Sequence, residues 1–168
     1  MKLTEALPLA EKIVAQLAPH CERIEIAGSI RRKVPVVGNI QIVCIPKPYE
    51  NKGMFVTGVA SVINQWTKIT GELPCKETRR MLPETIPLDV NFVTPENWGY
   101  IFAIKTGSAN FSHLVLGKGW VKAGYQGIDG TLYRAHDKKP MVCLEEKDFF
   151  KLIGVKYIEP EGRGLTYT

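Results

Sequence analysis

The stretch Gly28–Gln41, GSIRRKVPVVGNIQ, constrains this chain more than any other. It is entered from the apolar alternation of Ile24 and Ile26. It is left through Ile40, Ile42, Val43, Cys44 and Ile45. Period-two alternation on both sides predicts two strands, joined through a Gly-Ser turn and a pair of arginines. Asn39 and Gln41 flank Ile40, so they share one face of the second strand, away from its apolar side. Gly28 and Ser29 can offer backbone N–H groups and a hydroxyl to an anion at close approach. Arg31 and Arg32 can add bidentate contacts to phosphate oxygens. By itself, the pattern fits a bland loop with two solvated arginines at least as well as a binding site.

The rest of the chain bounds what this stretch can belong to. Its 168 residues suit one domain or two tightly joined lobes. The hydrophobic share is 45% and the mean hydropathy is -0.07, which supports a packed core in a water-soluble protein. No apolar run approaches the ~20 residues of a membrane span. The opening MKLTEALPLAEK carries acidic residues and no apolar signal-peptide core. Cys21, Cys44, Cys75 and Cys143 are scattered without a CxxC pair, so a reducing, cytoplasmic setting is expected. His20, His113 and His136 lack ligand-like spacing, and no zinc is expected. The net charge of +5 and pI near 9.0 permit a polyanionic partner without requiring one.

Taken in order, the periodicities predict an α/β chain. A first helix carries Leu9, Ala10, Ile13, Val14 and Leu17 on one face, with Thr4 as its N-cap and Pro19 at its end. Strands follow at 23–27 and 40–45, then a loop at 49–53. Residues 54–69 read as a second helix, with Phe55, Val59, Val62, Ile63 and Trp66 along one side and Gly71 closing it. Two strands come next, 75–81 and 86–93. In the second, Asp89 and Asn91 alternate with Leu88, Val90 and Phe92, which puts Asp89 on the polar face. Beyond Thr94–Pro95 the chain reads as short helices at 96–105, 109–117 and 145–153. A Gly- and Lys-rich loop with a small hairpin spans 118–140, and the tail is irregular. Trp66 and Trp98 read as core, whereas Trp120 reads as the best exposed base-stacking candidate.

The spacing of these pieces resembles the nucleotidyltransferase motif of the family X DNA polymerases, the polymerase beta family. That pattern is GS-x-x-R, then G-acid-x-acid, then a third acid on a neighbouring strand. Gly28, Ser29 and Arg32 match the first part. Gly38, Asn39 and Gln41 stand at the second, and Asp89 in PLDVNF matches the third. In the second half, Thr106, Gly107 and Ser108 resemble the family's segment that contacts the sugar and base of the incoming nucleotide. FFKLIGVKYIEPEGR resembles the end of its thumb-like lobe. The likeness runs from about Ile24 to Arg163. It leaves no counterpart for the family's lyase domain or helix-hairpin-helix elements, as in small phage and viral versions.

The resemblance implies a nucleotidyltransferase palm over 1–94, a mixed sheet flanked by helices, and a small, mostly helical lobe over 95–168. It implies a template-dependent DNA polymerase that adds dNTPs to the 3′ end of primed or gapped DNA in repair. The chain would be monomeric and would work in a bacterial or phage-infected cytoplasm. Two Mg²⁺ ions, or Mn²⁺, would sit at positions 39, 41 and 89, and Gly28, Ser29, Arg32, Gly38, Thr106, Gly107 and Ser108 would hold the nucleotide. Arg79, Arg80, Lys105 and Lys118 are weaker candidates for DNA phosphates.

Two departures bear on that expectation. Magnesium prefers anionic oxygen ligands, and Asn39 and Gln41 are neutral amides with the outlines of an aspartate and a glutamate. Two shape-preserving changes at the two metal positions point to an inactivated copy of a G-Asp-Ile-Glu-Ile parent, with a naturally degenerate enzyme as the other origin. The aromatic pair that precedes T-G-S in the family, and excludes ribonucleotides, is Ile104 and Lys105 here. The rival expectations are a nucleotidyltransferase acting on tRNA, protein or a small molecule, and a non-catalytic protein that binds nucleotide or DNA ends.

Overall fold

The structure is a computed structural model and describes residues 1–48 and 58–164. The chain is mixed α/β and divides into two compact units, Met1–Val93 and Thr94–Thr168.

In the first unit, helix α1 (Leu3–Leu17) buries Ala6, Ala10, Ile13 and Leu17, one stripe at helical spacing. It begins before Thr4, with Lys2 at the cap position and no side-chain cap bond. The start of the helix and the residue before its cap are held by backbone carbonyls instead. Leu3 N–H donates to Pro35 O at 2.9 Å, and the Met1 ammonium donates to Val37 O at 3.0 Å. These bonds tie the segment between Arg32 and Gly38 to the start of α1.

Strand β1 (Cys21–Ala27) runs into the short helix α2 (Gly28–Arg31), and β2 (Ile40–Pro46) follows. Helix α3 (Val59–Ile63), β3 (Thr67–Thr70), β4 (Glu77–Met81) and β5 (Pro87–Phe92) complete the unit. The five strands lie in the order β1-β2-β5-β4-β3. β2 and β5 are parallel, and the other neighbours are antiparallel. The even-numbered Ile40, Ile42, Cys44, Leu88 and Val90 join α1 and α3 in one core, with Leu17, Ile40, Ile42 and Leu88 fully enclosed. Each such side chain contributes about 1.5–3 kcal/mol by leaving water. The odd-numbered residues of β2 and β5 are left to the opposite face of the sheet.

The helix expected over 54–69 is shorter. Residues 49–57, including Phe55 and the expected loop at 49–53, lie outside the described residues. Val59, Ile63 and Trp66 are buried as a helical stripe would have them, yet α3 ends at Ile63. Thr67–Thr70 instead forms an exposed edge strand on β4. Thr78 fixes it by donating its hydroxyl to Thr70 O at 3.1 Å and to Gly71 O at 2.8 Å. Gly71 closes this strand pair, not a helix: its φ is +83°, and a Cβ there would stand 2.3 Å from Glu77 O.

The second unit contains α4 (Trp98–Thr106), α5 (Ala109–Phe111), a π-helical turn Ser112–Gly117 and α6 (Lys118–Lys122). The hairpin β6 (Tyr125–Ile128) and β7 (Thr131–Arg134) follows, and then α7 (Glu146–Leu152). Its core gathers Tyr100, Phe111, Leu116, Leu132, Phe149 and Phe150. Residues 118–122, expected as loop, are helical: Gly119 is there for close packing, since a Cβ would meet Val155 Cγ2 at 2.9 Å. Trp120 is correspondingly not a free stacking platform. It is half-buried against this core, edge-on to Tyr100 with ring centroids 5.5 Å apart. Among the described residues, no helix is long and apolar enough to cross a membrane.

Candidate active site

The polar face of β2 and β5 gathers residues from distant parts of the chain. Gln41 and Asp89 are register partners across the parallel pair, and Arg79 is the antiparallel partner of Asp89 from the other side. Ala27, the last residue of β1, pairs with Gln41, so Gly28 and Ser29 start directly beside it. The parallel β2–β5 pairing thus brings positions 41 and 89 together, and Asn39 joins them at the mouth of β2.

The side chains close on one another. Asn39 Nδ2 donates to Asp89 Oδ2 at 2.7 Å. A carboxylate accepts only, so the Asn39 amide must present its nitrogen there. Arg79 Nε lies 3.3 Å from Asp89 Oδ1, an ion pair in which the carboxylate side chain is 6% exposed. Asn91, 2% exposed, donates from Nδ2 to Gln41 Oε1 at 3.0 Å and to Ile42 O at 3.1 Å. The Asn91 Oδ1 atom is buried without a hydrogen-bond partner among the described residues, and so is Ser29 Oγ.

Gly28 has φ +63°, a backbone conformation that favours glycine, and carries the turn into α2. Arg32 follows at the end of α2, where Arg32 N–H donates to Gly28 O at 3.1 Å. Burial pushes the Arg32 guanidinium below its ordinary value, but an arginine remains charged. Gly38 is exposed, and a Cβ there would meet nothing within 4 Å.

This donor set does not fit a two-magnesium centre. Such a centre draws on several convergent anionic oxygens. Here one carboxylate is present, and Asn39 and Arg79 already face its two oxygens. The Gln41 oxygen is occupied by Asn91. Among the described residues, no group of three His, Cys, Asp or Glu side chains is placed to hold a metal ion.

In the second unit, the Thr106–Ser108 segment ends α4. Thr106 is fully buried and donates its hydroxyl to Phe102 O at 2.7 Å, one turn back on its own helix. Gly107 has φ +68°, and the Gly107–Ser108 peptide is cis. Ser108 caps α5, its Oγ accepting from Phe111 N–H at 3.2 Å. Its own N–H donates to Arg163 O at 3.0 Å.

Arg163 is the residue that sequence reasoning undervalued. It is fully buried and grips Glu146 through two bonds, Nη1 to Oε2 at 2.8 Å and Nη2 to Oε1 at 3.0 Å. Its Nε donates to Ile158 O at 2.7 Å, and its guanidinium lies 4.9 Å from the Phe150 ring centroid. Tyr157 Oη donates to Glu146 Oε1 at 3.1 Å. The network fixes the backbone against which Ser108 rests.

The weaker candidates separate. Arg79 belongs to the centre. Arg80 does not face solvent: it is 3% exposed, donating to Thr78 Oγ1 at 3.0 Å and to Trp66 O at 3.3 Å, so it is a core residue and not a DNA contact. Lys105 is half-buried on α4, and Lys118 is exposed at the start of α6. Asn91 is an addition. Its signal was its place two residues after Asp89 on the same strand face. In comparisons with known proteins, no family model and no curated sequence matches the chain.

Proposed function

We propose that the chain is a nucleotidyltransferase of the family X DNA polymerase type whose transfer reaction is silenced by the amides at positions 39 and 41. The reading assigns it a dNTP and a primed or gapped DNA 3′ end as substrates. The observation that carries it is the convergence of Asn39, Gln41 and Asp89 on one face of the β2–β5 pair, with the Gly28–Arg32 turn starting at the residue after Gln41's partner. Ser29, with its enclosed and unpartnered hydroxyl, and Arg32 would hold the triphosphate. Asn39, Gln41 and Asp89 would keep the shape of a metal centre without its charge. With Asp at 39 and Glu at 41, the same positions would offer three carboxylates to Mg²⁺ or Mn²⁺.

The test is transfer by the acid-restored chain, Asn39→Asp with Gln41→Glu, on gapped DNA with labelled dNTPs and Mg²⁺. Incorporation at the DNA 3′ end supports the reading. Labelling of tRNA or protein instead would identify a nucleotidyltransferase with a different acceptor. A folded chain that binds dNTP and transfers nothing contradicts it.

A further inference from the structure

We propose that this centre binds the triphosphate of a nucleotide without a divalent cation, with Arg79 supplying at Asp89 the positive charge that a metal ion would otherwise bring. The inference deepens the function proposed above and rests on its reading of the Gly28–Arg32 turn as the triphosphate site.

Charge is the first ground. A carboxylate cluster repels phosphate until a cation cancels it, which makes nucleotide binding metal-dependent. Amides at 39 and 41 remove two of the three charges of that arrangement. The one that remains, Asp89, lies against the Arg79 guanidinium at 3.3 Å and accepts from Asn39 at 2.7 Å. The centre is therefore neutral before any ion arrives, and Arg32 at the end of the turn adds a positive charge.

Geometry is the second ground. The Arg79 side chain is 42% exposed while its Asp89 partner is 6% exposed, and the Nε that faces the carboxylate is itself buried, so the exposure belongs to the rest of the arginine side chain. An arginine fork can bridge a carboxylate and a phosphate oxygen at once. Ser29 Oγ, enclosed and unpartnered, adds a hydroxyl beside the same end of the sheet. Among the described strand residues, the other charged groups on this face are Glu25, Glu77 and Arg23. Glu25 is opposite Val43, Glu77 is opposite Asn91, and Arg23 is opposite Ile45, all toward the end of the sheet away from the turn.

The experiment titrates dATP into the full chain by calorimetry, once in excess EDTA and once in Mg²⁺, with inorganic tripolyphosphate as a base-free probe. Both should bind in EDTA, with Mg²⁺ changing the affinity by less than about threefold. Arg79→Gln should weaken binding in EDTA about tenfold, and Arg79→Lys, which keeps the charge, by less. Circular dichroism checks that each variant is folded. Asn39→Asp with Gln41→Glu should invert the dependence, binding dATP in Mg²⁺ and losing it in EDTA. Binding of dATP by the parent chain in Mg²⁺ alone would overturn the inference and leave the proposed function standing. No binding of either probe in either condition would overturn the reading of the turn itself, and the inference with it.

Discussion

The Asn39 amide donates to the Asp89 carboxylate at 2.7 Å, linking two residues 50 positions apart in the chain. The bond is possible only because position 39 is an amide. An aspartate at 39 would have no proton to give, and two carboxylates at that separation repel. The amide that leaves position 39 uncharged therefore gives Asp89 a donor.

A stability prediction follows from that exchange. The double variant, Asn39→Asp with Gln41→Glu, should melt at a lower temperature than the parent in EDTA, because like charges are then crowded beside Asp89. Mg²⁺ should raise its melting temperature by mass action, while leaving the parent within about 1 °C. Thermal unfolding of both chains, with and without the ion, checks this. An equal Mg²⁺ response in the two would contradict it.

Arg163 and Glu146 form a buried ion pair with two hydrogen bonds. Arg163→Ala leaves Glu146 buried without its counter-charge and should cost about 3–5 kcal/mol. Urea unfolding measures it. A loss below about 1 kcal/mol, the range of exposed pairs, would show that the pair is not holding the second unit together.

Gly99 is where α4 approaches the chain entering α7. A Cβ there would stand 2.2 Å from Glu145 O and 2.9 Å from Cys143 O, both backbone atoms that cannot swing aside. Gly99→Ala should therefore destabilise by about 3 kcal/mol, although alanine normally favours a helix. A neutral or stabilising result by urea unfolding would contradict the close approach.

Burial pushes the Cys143 thiol up to about 11, helped by the field of Asp148. In the unfolded chain a thiol ionises near pH ~8.5. Between those values the folded chain holds a proton that the unfolded chain has released, so stability falls as pH rises through this range. Below it the contribution is constant. Cys143→Ala should lose this part of the alkaline slope, seen as a shallower fall of the urea midpoint from pH 8 to 11. An unchanged slope would mean the thiol is not held protonated.

The centre was legible because its signal is local. Alternation of Asn39 and Gln41 around Ile40, and of Asp89 between Leu88 and Val90, assigns each to a strand face without tertiary information. What joins them is the parallel β2–β5 pairing, which the spacing of GS, RR and the single Asp reached only through a family likeness. The edge strand Thr67–Thr70 was missed because all four of its residues are exposed. It has no buried alternation to read, while the Val59, Ile63 and Trp66 stripe nearby gave a helical one. Its β-branched Thr67, Ile69 and Thr70 were the available signal. Arg80 was not legible as a core residue because nothing in Glu77–Met81 separates it from its neighbour Arg79 until its partners Thr78 and Trp66 are known. Arg163 was hidden likewise, since its partner Glu146 lies 17 positions away.

The most direct measurement compares five chains on gapped DNA with labelled dNTPs and Mg²⁺: the parent, Asn39→Asp, Gln41→Glu, the double variant, and the double variant with Asp89→Asn. All three positions belong to one centre in this account, so the acids act as a unit. The parent and both single variants should stay near background, the double variant should exceed the parent by at least about a hundredfold, and Asp89→Asn should return it to background. A double variant no more active than the parent, while folded and binding dATP, would contradict the account.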